Sequence, residues 1–162
     1  MNVYTGHCAN ELGFWTHENQ TEEALSGAKG KTLVALSVAS GGAWHIPGHR
    51  FQDGTPSPTW EYGLLLRFAD GTGIYIYDDS YPGKSMDCDD DLSQFVRATF
   101  LGAEVRDGPA EDEGPEEVHE IAFLVVFTSL GEFTVATHNY HNGYYSGFML
   151  EAGWLDPEVV TA

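Results

Sequence analysis

The fold is decided at residues 62–77, YGLLLRFADGTGIYIY, where two β-prone runs flank an Asp-Gly turn. Runs rich in Ile, Leu and Tyr on both sides of such a dipeptide are typical of an antiparallel hairpin. Because side chains alternate along a strand, Ile74 and Ile76 lie on one face, and Tyr75 and Tyr77 lie on the other. The segment therefore predicts a hairpin with one aliphatic and one aromatic face.

Further strand signals lie on both sides of this hairpin. An apolar run between glycines precedes it, a strand is expected soon after it, and the last third of the chain carries strand patterns separated by turn residues. The predicted strands outside the hairpin are residues 32–38, 99–105, 119–128, 132–137 and 144–150. The last three are expected to form a β-meander, with Asn142-Gly143 beginning its final reversal.

Two short helices complete the predicted fold. One is capped by Thr21 and stopped at Gly27, and the other follows Asp90 or Asp91. The fold class is therefore α+β, predominantly antiparallel β, with roughly six to eight strands and one or two short helices.

The chain has the length of one domain. Its 162 residues would bury about 70% of their unfolded surface around a single core, so residues 1–162 are assigned to one domain. Turn residues dominate two segments, 41–59 and 107–117, and both are predicted to be long loops. Trp44 is expected to anchor the first loop, and the acidic, Pro- and Gly-rich second loop is expected to be mobile.

The charge balance is the most unusual feature of the composition. The chain has 25 acidic and 7 basic residues, a formal net charge of −18, and no Lys or Arg follows Arg106. A field of this sign repels phosphate backbones and anionic lipid and attracts basic surfaces, which argues against direct nucleic-acid binding. The charge serves solubility in the simplest interpretation. In a sharper one it forms a surface that imitates DNA or docks on a basic partner, with these candidates: Glu111, Asp112, Glu113, Glu116 and Glu117.

Cysteine usage and hydropathy indicate the compartment. Cys8 and Cys88 are far apart and have no second pair that would complete a zinc ribbon or a disulfide framework. The first residues lack the pattern of a secretory leader, and no apolar run is long enough to span a bilayer. We expect a cytoplasmic protein with free thiols and no membrane contact, and the oligomeric state stays open.

One segment is rich in groups that could form a ligand site. Residues 137–148, THNYHNGYYSGF, bring hydrogen-bonding groups and flat rings together near a predicted turn. The ligand-binding candidates are His138, Asn139, His141, Asn142, Tyr144 and Tyr145. With a carboxylate such as Asp89, the two histidines could also form a two-His, one-carboxylate metal set, if the strand already turns at His141. The competing interpretation is that these groups satisfy one another and the turn backbone.

The same segment carries a resemblance. HNYHNGYYSGF at 138–148, together with IYIYDD at 74–79 and DDDL at 89–92, resembles a small domain of unknown function that is frequent in actinobacterial phages and their hosts. The resemblance covers roughly residues 62–148. That family has cysteines and a Glu soon after the Asp-rich strand end, whereas this chain has only Cys88 there. The resemblance implies a phage or prophage source and supplies no activity.

Signatures of common enzymes are missing, since the chain has no nucleophile elbow, phosphate-binding loop or dinucleotide fingerprint. This favours a non-enzymatic protein, and no cofactor is expected. The leading hypothesis is an acidic binding or inhibitor protein that acts on a basic host protein, in host takeover or against host defence. The alternatives are a small-molecule-binding or metal-dependent hydrolase domain centred on residues 138–145, and a virion or structural oligomer component.

Overall fold

A computed structural model describes residues 12–14, 20–59, 61–78, 80, 83–114, 117–143 and 147–155. Helix α1 (Gln20–Ala28) precedes β1 (Leu33–Ala39), β2 (His45–Arg50), β3 (Pro56–Pro58), β4 (Gly63–Phe68), β5 (Gly73–Tyr77) and β6 (Lys84–Asp87). A 3-10 helix (Leu92–Phe95) then leads to β7 (Phe100–Gly114), β8 (Glu117–Thr128), β9 (Gly131–His141) and β10 (Glu151–Trp154). The predicted fold class, α+β with predominantly antiparallel strands, is confirmed.

The strands form two four-stranded sheets and one small hairpin. The first sheet has the order β1-β4-β5-β10, the second has the order β6-β9-β8-β7, and β2 pairs with β3. The hairpin predicted at residues 62–77 lies at the centre of the first sheet, where Leu64 pairs with Ile76 and Leu66 with Ile74. The sheets are antiparallel throughout their described pairs.

One core lies between the two larger sheets. Ile74 and Ile76 are fully buried in it, as are Leu124 of β8 and Val135 of β9. On the opposite face of β5, Tyr75 and Tyr77 pack against the buried Trp44 in a second cluster. The aliphatic face of the hairpin therefore packs in the core between the sheets, and its aromatic face packs in the second cluster around Trp44, as the alternation of side chains along a strand predicts.

Both predicted helices are present, with differences at their ends. Asp91 caps the second one by accepting a hydrogen bond from the Ser93 N–H, but the helix is a single 3-10 segment. Gly27 does not stop α1, which continues to Ala28. A Cβ at Gly27 would lie 2.6 Å from Cζ2 of Trp154, so the glycine permits close packing of the helix on β10.

Both segments predicted as long loops contain strands. Residues 41–59 include the β2–β3 hairpin, with Trp44 buried as the predicted anchor. The prediction of a loop at 107–117 is wrong, because β7 continues to Gly114. Gly114 pairs with Glu117, the first residue of β8. Pro109 falls at a register shift of this ladder, where a missing N–H is tolerated. The apolar β8 supplies a pairing partner that the acidic composition did not reveal.

The predicted strand at 144–150 is also wrong where the structure describes it. Residues 147–150 are irregular, and residues 144–146 lie outside the described residues. The last strand, β10, instead begins at Glu151 and pairs with β5 of the first sheet, so the chain crosses between the sheets after β9. No helix in the described ranges has the length and apolarity needed to cross a membrane.

Candidate functional site

The histidine-rich strand β9 places its side chains on two faces. Asn139 and His141 face the interior, where both approach Glu120, whereas His138 and Tyr140 face outward and contact His119. Among the described residues the predicted ligand set therefore does not line one concavity. Asn142 is exposed, and Tyr144 and Tyr145 lie outside the described part of the chain.

The predicted metal set does not form, because β9 is still extended at His141. Residues three apart on a strand face opposite sides, so His138 and His141 cannot share an ion. The carboxylate beside His138 is Asp87, with Oδ2 at 3.2 Å from Nε2, and Asp89 is an exposed residue. Within the described ranges, no group of three His, Cys, Asp or Glu residues is arranged to hold a metal ion.

The interior half of the segment is a buried polar cluster around Glu120. Oε1 of Glu120 accepts hydrogen bonds from Asn139 Nδ2 at 3.1 Å and from Gly147 N at 2.9 Å. Nε2 of His141 lies 2.7 Å from the same oxygen but out of line for a directed hydrogen bond. Nδ1 of His141 accepts a hydrogen bond from Gly143 N at 2.9 Å.

A buried ion pair lies next to this cluster. Nζ of Lys84 donates to Asp78 Oδ2 at 3.0 Å, to Ser80 Oγ at 2.9 Å and to the Gly147 carbonyl at 2.8 Å, which uses all three of its protons. Asp78 Oδ2 also accepts from Met149 N at 2.7 Å. The two clusters hold residues 147–149 against the sheets, and Asn139 takes part directly by donating to the Gly147 carbonyl at 3.3 Å.

Sequence reasoning did not single out Lys84, Asp78 or Glu120. Glu120 had a detectable signal, since it has the same strand parity as the buried Ala122 and Leu124 and therefore had to face inward. Lys84 is one of only seven basic residues, which is a weak signal.

The outward half is a set of flat rings on the second sheet. Nε2 of His119 lies 2.8 Å from Nδ1 of His138, so the two imidazoles are joined by a hydrogen bond. Tyr140 stacks on His119, with ring centroids 4.1 Å apart and planes 10° apart. The ring centroids of His138 and Tyr140 are 6.2 Å apart. His138 therefore lies beside His119, and Tyr140 is the most exposed of the three rings.

Carboxylates flank these rings on both sides. Asp87 of β6 contacts His138, and its side chain is 65% exposed. On the other side, Glu111 of β7 pairs in register with His119, which puts its exposed side chain on the same face. We call these five residues the histidine–tyrosine face: Asp87, Glu111, His119, His138 and Tyr140.

Four of the predicted acidic candidates belong to the β7–β8 hairpin at the edge of this face: Glu111, Asp112, Glu113 and Glu117. Glu111 and Glu117 are exposed, and Asp112 belongs to β7 and pairs with Val118. The side chains of Asp112 and Glu113, and the whole of Glu116, lie outside the described part of the structure.

The space beside His138 that the described residues line is small. A gap of about 10 Å³ between His138 and the Asp78–Lys84 pair has room for one water molecule at most. A cleft of about 460 Å³ lies elsewhere, between α1 and β7, and contains none of the predicted ligand residues; it is lined by Leu12, Glu22, Leu25, Ser26, Lys29, Gly102 and Ala103. Neither of these two spaces brings the predicted ligand residues together around a volume of substrate size.

Comparisons of the chain with protein-family models, with curated proteins and with solved structures found no match. The phage-type resemblance stays a prediction from the quoted residues, and the function is argued from the geometry of the site.

Proposed function

We propose that the protein is a non-enzymatic binding protein of phage or prophage origin that inhibits a basic host protein. The observation that carries this proposal is the histidine–tyrosine face, where the half-exposed ring of Tyr140 shares one face of the second sheet with the exposed carboxylates of Asp87 and Glu111. Tyrosine is enriched at protein–protein interfaces, and exposed carboxylates steer a basic partner toward the surface that carries them.

The charges of the second sheet support a basic partner. Lys84 and Arg106 are the basic residues of its four strands. Lys84 is buried against Asp78, and Arg106 is paired with Glu104 on its own strand. Because both cations are engaged within the chain, the carboxylates at the surface of this sheet attract cations from outside, which raises the rate of encounter with a basic protein.

A pull-down from an actinobacterial lysate with matched charge variants tests the proposal. Glu111→Gln/Glu117→Gln removes one exposed carboxylate of the face and one next to it, and Glu22→Gln/Glu23→Gln removes two exposed carboxylates from α1. The proposal expects one basic protein to be retained by the wild type and the α1 variant, and to be lost from the hairpin variant. Raised salt should release it, because exposed charges are screened.

Two results would overturn the proposal: no basic protein retained by the wild type, or equal retention by both variants. A DNA duplex added as competitor identifies the kind of partner. Displacement by DNA assigns the retained protein to the nucleic-acid-binding class, as a DNA-mimicking inhibitor requires. Light scattering on the purified protein tests the structural-oligomer alternative, which requires a large assembly.

A further inference from the structure

The two histidines of the histidine–tyrosine face contact each other through ring nitrogens, Nε2 of His119 and Nδ1 of His138, which lie 2.8 Å apart. A hydrogen bond between two such nitrogens requires a proton on one of them and a lone pair on the other. We propose that this pair is a pH-sensitive switch, in which acid that protonates both rings opens the hydrogen bond and weakens the hold of the face on its basic partner. The inference rests on the proposed function and adds a means of regulating the same face.

The intact pair is compatible with at most one charged ring. A charged imidazole carries a proton on both of its nitrogens, so two charged rings would direct N–H groups at each other across 2.8 Å. That contact contains no acceptor and brings two like charges together. The hydrogen bond therefore survives the first added proton, whichever ring donates it, and the second added proton requires the rings to separate.

Protonation of the pair cancels the charge of the face. Its two carboxylates are those of Asp87 and Glu111, so with both rings neutral the face has two net negative charges. One protonated ring halves this charge, and two protonated rings remove it. Because a basic protein is attracted by the field of the surface it approaches, its attraction to the face should fall with each proton.

Carboxylates approach the pair from both neighbouring strands and from its own, and they favour uptake of protons. Oδ2 of Asp87 on β6 lies 3.2 Å from Nε2 of His138. Glu111 on β7 is in register with His119, and Glu117 has the same outward parity as His119 on β8 and is exposed.

The remaining charged and titratable neighbours do not change their charge in the relevant range. Tyr62, Asp78 and Lys84 line the small gap beside His138, and the last two form the buried ion pair. Arg106, the other basic residue of this sheet, is paired on its own strand. Histidine is the side chain whose charge ordinarily changes between about pH 5 and pH 8, so in this range the charge of the face is set by its two rings.

Nuclear magnetic resonance of the isotope-labelled wild type tests the switch without a partner. Spectra that correlate ring nitrogens with carbon-bound ring protons distinguish a protonated nitrogen from a bare one. At about pH 7.5 we expect one protonated and one bare nitrogen where His119 meets His138. At about pH 5 both facing nitrogens should be protonated, and the nuclear Overhauser contacts between the two rings should weaken.

A dye-labelled oligolysine serves as the basic probe for the effect on binding, because lysine keeps its charge over this range. Fluorescence anisotropy at low salt gives its Kd at both pH values for the wild type and for two double variants. His119→Gln/His138→Gln removes the switch, and His45→Gln/His49→Gln removes the same number of histidines from β2. Circular dichroism checks that each variant folds.

Acid should weaken binding of the probe to every form, because the other histidines are also protonated. We expect the rise in Kd to be about five times larger in the wild type and in His45→Gln/His49→Gln than in His119→Gln/His138→Gln.

The failures of the two proposals are distinguishable. A bare nitrogen that persists between the two rings at about pH 5 would overturn the switch, as would an equal rise in Kd for the two double variants. The pull-down with the charge variants, carried out at neutral pH, decides the proposed function independently of both measurements.

Discussion

Replacing Lys84 by methionine removes the cation of the buried ion pair while keeping most of the side chain's length. The two partners are almost inaccessible, with the Lys84 side chain 5% exposed and that of Asp78 3% exposed. In Lys84→Met the carboxylate of Asp78 stays buried without its counter-charge, and the Gly147 carbonyl loses a donor. We therefore expect a marked loss of stability.

The size of the loss follows from what remains around Asp78. Removing one partner of a buried pair costs about 3–5 kcal/mol. Asp78 keeps hydrogen bonds from Ser80 and from Met149 N, so the lower end applies, about 3 kcal/mol. For a chain of this size that loss corresponds to a decrease in Tm of about 6–12 °C.

Urea unfolding followed by tryptophan fluorescence measures this difference. The matched control is Lys31→Met, which breaks the pair of Lys31 with Asp70, whose side chains are 26% and 49% exposed. Because solvent screens that pair, its loss should be clearly smaller. The double variant Asp78→Asn/Lys84→Met should lose less than the sum of its single changes. Equal losses for the two lysine variants would refute the assignment of Lys84 to a buried, essential pair.

Three further predictions concern single positions. Gly83→Ala should be strongly destabilising in urea unfolding, because its φ is +90° and a Cβ would overlap the carbonyl oxygen of Tyr140. In a variant whose other cysteine is serine, Cys88 should react slowly with iodoacetamide at neutral pH, because burial and nearby carboxylates raise the pKa of its thiol. The hydrogen bond from Lys31 lowers the pKa of Asp70 below its ordinary value of 3.8. The ionised carboxylate therefore stabilises the fold above pH 3.8, and this contribution is lost as the pH falls and the group is protonated. Because Asp70→Asn lacks the carboxylate, the stability of this variant should fall less steeply than that of the wild type in the acid range.

Each of these predictions has an internal control. Gly71→Ala has the same backbone strain, with φ at +89°, but its Cβ would meet open space, so equal losses at both glycines would exclude the clash. Unfolding in urea should restore an ordinary alkylation rate to Cys88, and a native rate that is already ordinary would contradict its burial. If the free energy of unfolding of Asp70→Asn falls with decreasing pH as steeply as that of the wild type, the carboxyl of Asp70 does not cause the acid-dependent loss of stability.

Local signals in the sequence predicted the elements that depend on neighbours along the chain. The hairpin at 62–77 combines period-two alternation with an Asp-Gly turn, and α1 and the β8–β9 pair were also visible. The outer part of the β7–β8 hairpin was missed because its acidic, Pro- and Gly-rich composition outweighed the strand signal. The position of β10 was missed because its pairing with β5 is a long-range contact.

The candidate site divides in the same way. Composition marked residues 137–148 as a place where polar groups and rings meet, and period-two alternation implies that His138 and His141 face opposite sides. What surrounds each residue depends on partners that the chain brings together only on folding. His119 and His138 are 19 positions apart, and Asp78 and Met149 are 71 apart.

The sequence by itself determined the predominantly antiparallel character of the fold, the two opposite faces of the strand at residues 73–77, and the net charge of −18. These properties follow from local backbone geometry and from composition. Tertiary structure alone decided that Asn139 and His141 are buried against Glu120, that Lys84 neutralises Asp78, and that Tyr140 is backed by His119. The physical reason is that hydrogen bonds, ion pairs and ring stacking act over a few ångströms, and strand register decides which distant residues come that close.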